Sequence, residues 1–157
     1  MKFNLKLFIV CLGLPLFVGG LAGLITNNSM TIFQTLNQPP LSPPGFIFPI
    51  VWTILYVLMG IASYLVLSSE NNTKLVTTSL KFYLAQLGGN FIWPILFFSF
   101  ELYLFSFIWI LFLIFLVIRT TVLFAQISKP SVYFMIPYLI WLVFAAYLNL
   151  AVYLFNR

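Results

Sequence analysis

Three sets of side chains in this sequence have the types and spacing to build a binding site for a flat apolar molecule. At 3.6 residues per turn, Trp52, Tyr56, Met59, Gly60 and Ser63 fall on one stripe, and Tyr83, Gln86, Asn90, Trp93 and Phe97 on a second. Tyr138, Trp141, Ala145, Leu148, Asn149 and Val152 form a third. Each stripe combines an indole with polar or small side chains. Primary amides are unfavourable in hydrocarbon unless hydrogen-bonded, so Gln86, Asn90 and Asn149 are expected to face the interior of a bundle. Two roles are open to them there. They can join helices, a contribution of about 0.6 to 2 kcal/mol each, or offer donors inside an apolar, aromatic pocket, which is the make-up of a small-molecule site. The coincidence of three such stripes favours the pocket.

Other chemistries lack their residues. The chain has no His and a single Cys, Cys11, so the usual ligand sets for zinc, haem iron or iron–sulfur clusters cannot be assembled. No metal site and no cofactor are expected, and His-based acid–base catalysis is excluded. The only carboxylates are Glu70 and Glu101. They fall after consecutive apolar runs, on opposite faces of a hydrocarbon layer about 30 Å thick, and cannot work as a pair. Ion-coupled carriers usually place ionisable groups near the midplane; Arg119, about a turn from the end of its run, is placed to snorkel to the headgroups instead.

The elements that must position these stripes are membrane spans. Of 157 residues, 63% are apolar or aromatic and 6% charged, where a soluble domain has roughly a quarter charged. A span needs about 20 apolar residues, and five runs qualify: 5–26, 46–67, 80–100, 103–124 and 132–155. The expected fold is all-α, an integral membrane bundle of five transmembrane helices forming one domain over residues 1–157. Pro15, Pro49, Pro94 and Pro137 lie within the spans and are expected to bend them. The first run, after Lys2 and Lys6, has some features of a signal peptide, but it is longer than a typical apolar core of one. Its Gly19 and Gly23 suit close helix contact.

Charge sets the expected orientation. Lys2, Lys6, Lys74, Lys81 and Lys129 fall on one side with Arg119 near it, and only Arg157 on the other. By the positive-inside rule the N-terminus is cytoplasmic and the C-terminus outside. The basic residues are scattered, so no nucleic-acid partner is expected. Residues 31–45 carry no charge and include Pro39-Pro40-Leu41-Ser42-Pro43-Pro44. Such a stretch is stiffened towards polyproline-like geometry and is expected to form a lid over the outer mouth of the bundle.

The proline run, followed by Phe46, Val51-Trp52, Leu55-Tyr56 and Met59-Gly60, resembles the signature of the TspO/translocator protein family, the tryptophan-rich sensory proteins. Gln86-Leu87, Asn90, Trp93-Pro94 and Phe97-Phe98 resemble its third-span motif. Pro137-Tyr138-Leu139-Ile140-Trp141, Phe144-Ala145 and Leu148-Asn149 resemble that of its fifth. The likeness runs from Gly19-Gly20 to the C-terminus. Leu41, where many members have Trp, and Gly88-Gly89, in place of a bulkier pair, depart from the pattern.

The resemblance implies a bundle, commonly a homodimer, that binds porphyrins such as protoporphyrin IX, haem-type tetrapyrroles, benzodiazepine and isoquinoline ligands and, in animal members, cholesterol. It implies Trp52, Asn90, Trp141, Ala145, Leu148 and Asn149 as pocket residues, with Tyr56, Gln86 and Trp93 nearby and Pro39, Pro40, Pro43 and Pro44 in the lid. The expected function is a membrane receptor or transporter for such ligands. Some bacterial members degrade protoporphyrin in light, and Trp52 and Trp141 would be the catalytic residues if this chain did so. A regulatory membrane protein without its own ligand is the third reading. Leu150, Tyr153 and Arg157 fit the loose cholesterol-recognition pattern, which leaves a sterol as a subordinate alternative. Homodimerisation is expected through Ala85 and Gly88, on a different face of the third span from Asn90. The expected location is a bacterial plasma membrane.

Overall fold

A computed structural model describes residues 2–157. Local sequence signals set the helix boundaries. Asn4 begins α1 (Leu5–Thr26) by accepting the Leu7 N–H at 3.1 Å, and Asn72 begins α4 (Thr73–Pro94) by accepting the Lys74 N–H at 2.9 Å, the side-chain caps that unsatisfied first-turn donors require. Between them lie a single turn, α2 (Met30–Phe33), and α3 (Ile47–Leu67). Pro94 has no N–H to give the carbonyl of Asn90, and the chain widens there into a π-helical turn, Ile95–Ser99. Glu101, at φ 54°, reverses the chain into α5 (Tyr103–Ile127). Extended backbone at Ser128 alone separates α5 from α6 (Lys129–Phe155), whose first turn holds Pro130, a place where a missing N–H costs nothing.

The five long helices close into a ring in the order α1, α3, α6, α5, α4. Two sets of contacts mark its ends. At one end the Asn4 N–H donates to Tyr64 Oη at 3.0 Å, and Asn71 Nδ2 to the Ile127 carbonyl at 3.5 Å. At the other, Ser29 meets Ser99, and Asn37 pairs with Asn156. The first end gathers Lys2, Lys6, Lys74 and Lys129 around the starts of α1, α4 and α6, with Lys81 about two turns into α4. The second carries the loop between α2 and α3.

The molecule is apolar outside as well as inside. Tyr138, Phe124, Met59, Ile110 and Leu113 are buried between helices, while Phe17, Leu24, Phe112, Phe115 and Ile140 are exposed around the perimeter. A continuous apolar exterior of this extent marks a surface that meets lipid. Four helices, α1, α3, α5 and α6, are long and apolar enough to cross a membrane. The sequence reading of a span over 80–100 differs from what forms there. α4 starts seven residues earlier, at the Asn72 cap, takes in Thr73, Lys74, Thr77, Thr78 and Ser79, and gives way to the π turn after Pro94. It has the length of a span but not its hydropathy.

Candidate ligand-binding site

Near the loop end, α1, α3 and α4 enclose a cavity of about 300 Å³. Small side chains on α1 leave the space: Gly19, Gly20, Ala22 and Gly23 border it, followed by Thr26. α3 supplies Phe48, Trp52 and Tyr56, and α4 supplies Asn90 and Trp93. The π turn after Pro94 carries Phe98 to the wall, and such local widening is often found at functional sites.

The polar groups around the cavity are in different states. Trp93 stacks on Phe97 with centroids 5.3 Å apart, and its indole N–H donates to Asn149 Oδ1 at 3.0 Å. Asn149 Nδ2 in turn donates to the Tyr103 carbonyl at 2.7 Å. Those amide and indole groups are committed to holding α4, α5 and α6 together. Asn90 is not. It is 1% exposed, and its Nδ2 has no hydrogen-bond partner among the described residues. A buried donor without an acceptor costs about 1–3 kcal/mol, so this group is poised for a ligand acceptor.

Trp141, Ala145, Leu148 and Asn149 border a separate void of about 20 Å³, shared with Trp52, Trp93 and Phe48. Phe48 borders both spaces, and its centroid is 6.1 Å from the Trp141 ring in an edge arrangement. The Trp141 indole N–H is also without a partner among the described residues.

The sequence-derived site residues therefore divide. Trp52, Tyr56, Asn90 and Trp93 border the larger cavity, and Trp52, Trp93, Trp141, Ala145, Leu148 and Asn149 the smaller void. Gln86 borders neither. It is fully buried, accepts the Tyr138 hydroxyl at 2.8 Å, and has its Nε2 3.7 Å from Met59 Sδ, which makes it the interhelical link that was one of its two readings. Pro39, Pro40, Pro43 and Pro44 also border neither cavity. Their segment is tied to the end of α6, and Met30 and Phe33 of α2 are what approach the voids. Sequence reasoning missed the α1 wall, although the Gly19–Gly23 cluster was the signal for it. It also missed Trp109, whose indole N–H donates to the Gly89 carbonyl at 2.9 Å.

A helical bundle with an apolar exterior and an aromatic chamber between its helices defines a multi-pass membrane protein with an internal pocket. More narrowly, the TspO/MBR family model matches residues 11–154, and the chain belongs to that family. It is 34% identical over 148 residues to the tryptophan-rich protein TspO of Chlorobaculum tepidum, covering 94% of each chain. It is 34% identical over 134 residues to the translocator protein of Ovis aries, covering 83% of this chain and 79% of that one. Against the tryptophan-rich sensory protein of Cereibacter sphaeroides the identity is 32% over 117 residues, covering 74% and 72%.

Proposed function

We propose that this protein is a membrane receptor or carrier for flat aromatic ligands of the porphyrin kind, held in the cavity between α1, α3 and α4. The observation that carries this is Asn90 Nδ2, without a hydrogen-bond partner among the described residues and buried at the wall of a cavity that Trp52, Tyr56, Trp93 and Phe98 also line. Aromatic rings supply stacking worth about 0.5–1.5 kcal/mol per contact beyond area burial, and Asn90 supplies direction. A volume of about 300 Å³ is at the low end for drug-sized ligands, roughly 300–1,000 Å³. An isoquinoline or benzodiazepine fits that scale, and a tetrapyrrole would sit with one edge inside. Titrating the protein with protoporphyrin IX and following tryptophan emission tests the reading. Saturable quenching that weakens in Trp52→Ala supports it, and quenching equally strong in Asn90→Leu and Trp52→Ala variants overturns the site.

α4 would supply the fifth crossing, with Ser79, Gln86 and Asn90 turned to neighbouring helices and Thr73, Lys74, Thr77, Thr78 and Lys81 exposed towards the basic end. By the positive-inside rule the basic end would then face the cytoplasm of a bacterial cell and the loop end the outside. A homodimer would form on the exposed face of α4 that carries Leu84, Ala85, Gly88 and Ile92, where small residues permit close approach. Crosslinking in liposomes that yields only monomer would count against it.

A photo-oxidative reaction is the second reading, favoured by one observation. Trp52 borders both voids and lies 5.7 Å from Tyr56 and 6.3 Å from Tyr138, centroid to centroid, so an indole that gives an electron to a photoexcited porphyrin, with dioxygen as the final acceptor, would have phenols beside it to return one. Loss of porphyrin absorption under illumination, faster than in a Trp52→Phe variant, would support it.

A further inference from the structure

The walls of the larger cavity are unequally exposed. Tyr56, Asn90 and Trp93 at its back are buried, whereas Gly20 and Gly23 on α1 and Pro49 and Thr53 on α3 also face outward. Helical spacing accounts for this, because 16, 20 and 23 follow one edge of α1, and 49 and 53 follow the facing edge of α3. The two helices meet where Gly60 abuts the Cys11 carbonyl and where Gly19 abuts the Tyr56 ring. Between those contacts and the loop end their edges part around the cavity. A Cβ at Gly20 or Gly23 would have nothing within 4 Å. The hydroxyl on this rim, Thr53 Oγ1, is turned back to the Pro49 carbonyl at 2.7 Å, which leaves an apolar edge. No residue from 31 to 47 borders this cavity.

We infer that the cavity is loaded sideways, from the acyl-chain region of the bilayer, through the gap between the Gly20–Gly23 edge of α1 and the Pro49–Thr53 edge of α3. The ligand is then a molecule already dissolved in lipid. The inference rests on the ligand-binding reading for the class of molecule admitted. The side route crosses none of the hydrogen bonds from Asn156 and Tyr147 that tie the loop to α6. It also lets a macrocycle wider than the enclosed space keep its outer edge among the acyl chains while its inner edge reaches Asn90.

Stopped-flow quenching of tryptophan emission by protoporphyrin IX, with protein in liposomes, tests this. Gly20→Leu and Gly23→Leu narrow the gap, Gly13→Leu is the control on an exposed part of α1 away from the cavity, and Asn156→Ala loosens the loop. The side route predicts association and dissociation both about tenfold slower in the first two variants, with related rates otherwise as little changed as is usual within one interface, and native rates in Gly13→Leu and Asn156→Ala. Native rates in the gap variants, with faster association in Asn156→Ala, overturn it. Absence of saturable quenching in the unmodified protein instead sinks the ligand reading. Phospholipids brominated on their acyl chains then decide the opening by themselves. Quenching of tryptophan emission that falls in Gly20→Leu relative to Gly13→Leu supports it, and equal quenching overturns it.

Discussion

The side-chain amide of Asn156 takes both backbone groups of Asn37. Its Nδ2 donates to the Asn37 carbonyl at 2.9 Å, and its Oδ1 accepts the Asn37 N–H at 2.9 Å. One side chain at the end of α6 thus does for the loop what a neighbouring strand does in a ladder, and the Tyr147 hydroxyl adds a bond to the Pro40 carbonyl at 2.8 Å. Each such bond contributes about 0.5–1.5 kcal/mol net.

Removing that clasp is expected to loosen the loop without unfolding the bundle. Two lost bonds sum to about 1–3 kcal/mol, and about 1.4 kcal/mol is a tenfold change in an equilibrium. Asn156→Ala should therefore speed amide hydrogen exchange at Asn37 by about tenfold or more, with α3 and α5 unchanged. Exchange mass spectrometry in nanodiscs reads this directly, and an unaltered rate at Asn37 would mean that Pro39 and Pro40 hold the loop by stiffness alone.

Asn90 is expected to trade stability for binding. Its Nδ2 is buried and has no partner among the described residues, so Asn90→Leu removes a desolvated donor and should stabilise protein purified without ligand by about 1–3 kcal/mol. The same change should weaken protoporphyrin binding about tenfold or more, the range expected when a buried ligand hydrogen bond is lost. Thermal unfolding in detergent and fluorescence titration measure the two effects. A variant that is both less stable and equally able to bind would show that the amide is already satisfied.

Gln86 should behave in the opposite way, since its oxygen is already engaged. Tyr138→Phe leaves the fully buried Gln86 Oε1 without its 2.8 Å donor and should destabilise by about 1–3 kcal/mol. Tyr138→Phe with Gln86→Leu removes both partners and should recover most of that loss, a positive coupling in a double-mutant cycle. Ligand affinity should hold in both variants, because Gln86 lies outside both voids.

The helical stripes placed the aromatic and amide residues well because period alone determines which side chains share a face. Gln86, Asn90 and Asn149 are all buried, as their cost in hydrocarbon demands. Period does not determine which buried amide finds a partner. That depends on the axial offset between helices, and it separates Asn149, matched to Trp93 and Tyr103, from Asn90, whose Nδ2 has no partner among the described residues. The segment 31–45 was legible as stiff and uncharged, but its attachment runs through Asn156 and Tyr147, more than a hundred residues away. The start of α4 was misplaced for a simpler reason: hydropathy locates apolar runs, and the Asn72 cap extends the helix into the polar residues before one.

The glycines offer a graded test of how closely the helices must approach. A Cβ on Gly60 would lie 2.7 Å from the Cys11 carbonyl and 2.9 Å from Leu12 Cα, and backbone cannot move aside as a side chain can. Gly60→Ala is therefore expected to force α1 and α3 apart, with a cost at or above the roughly 1–3 kcal/mol of ordinary overpacking. At Gly89 the nearest atom is Leu113 Cδ1 at 3.2 Å, the end of a flexible chain, so Gly89→Ala should cost much less. Gly88 meets nothing within 4 Å, and Gly88→Ala should stabilise by up to about 1 kcal/mol through helix propensity. Melting temperatures in detergent should fall in the order Gly88→Ala, Gly89→Ala, Gly60→Ala. Because the Gly60 and Gly19 contacts mark where α1 and α3 separate to form the cavity, Gly60→Ala should also weaken protoporphyrin binding, whereas Gly89→Ala, on the α5 side of α4, should leave it intact. Intact binding in a well-folded Gly60→Ala protein would detach the pocket from this helix contact.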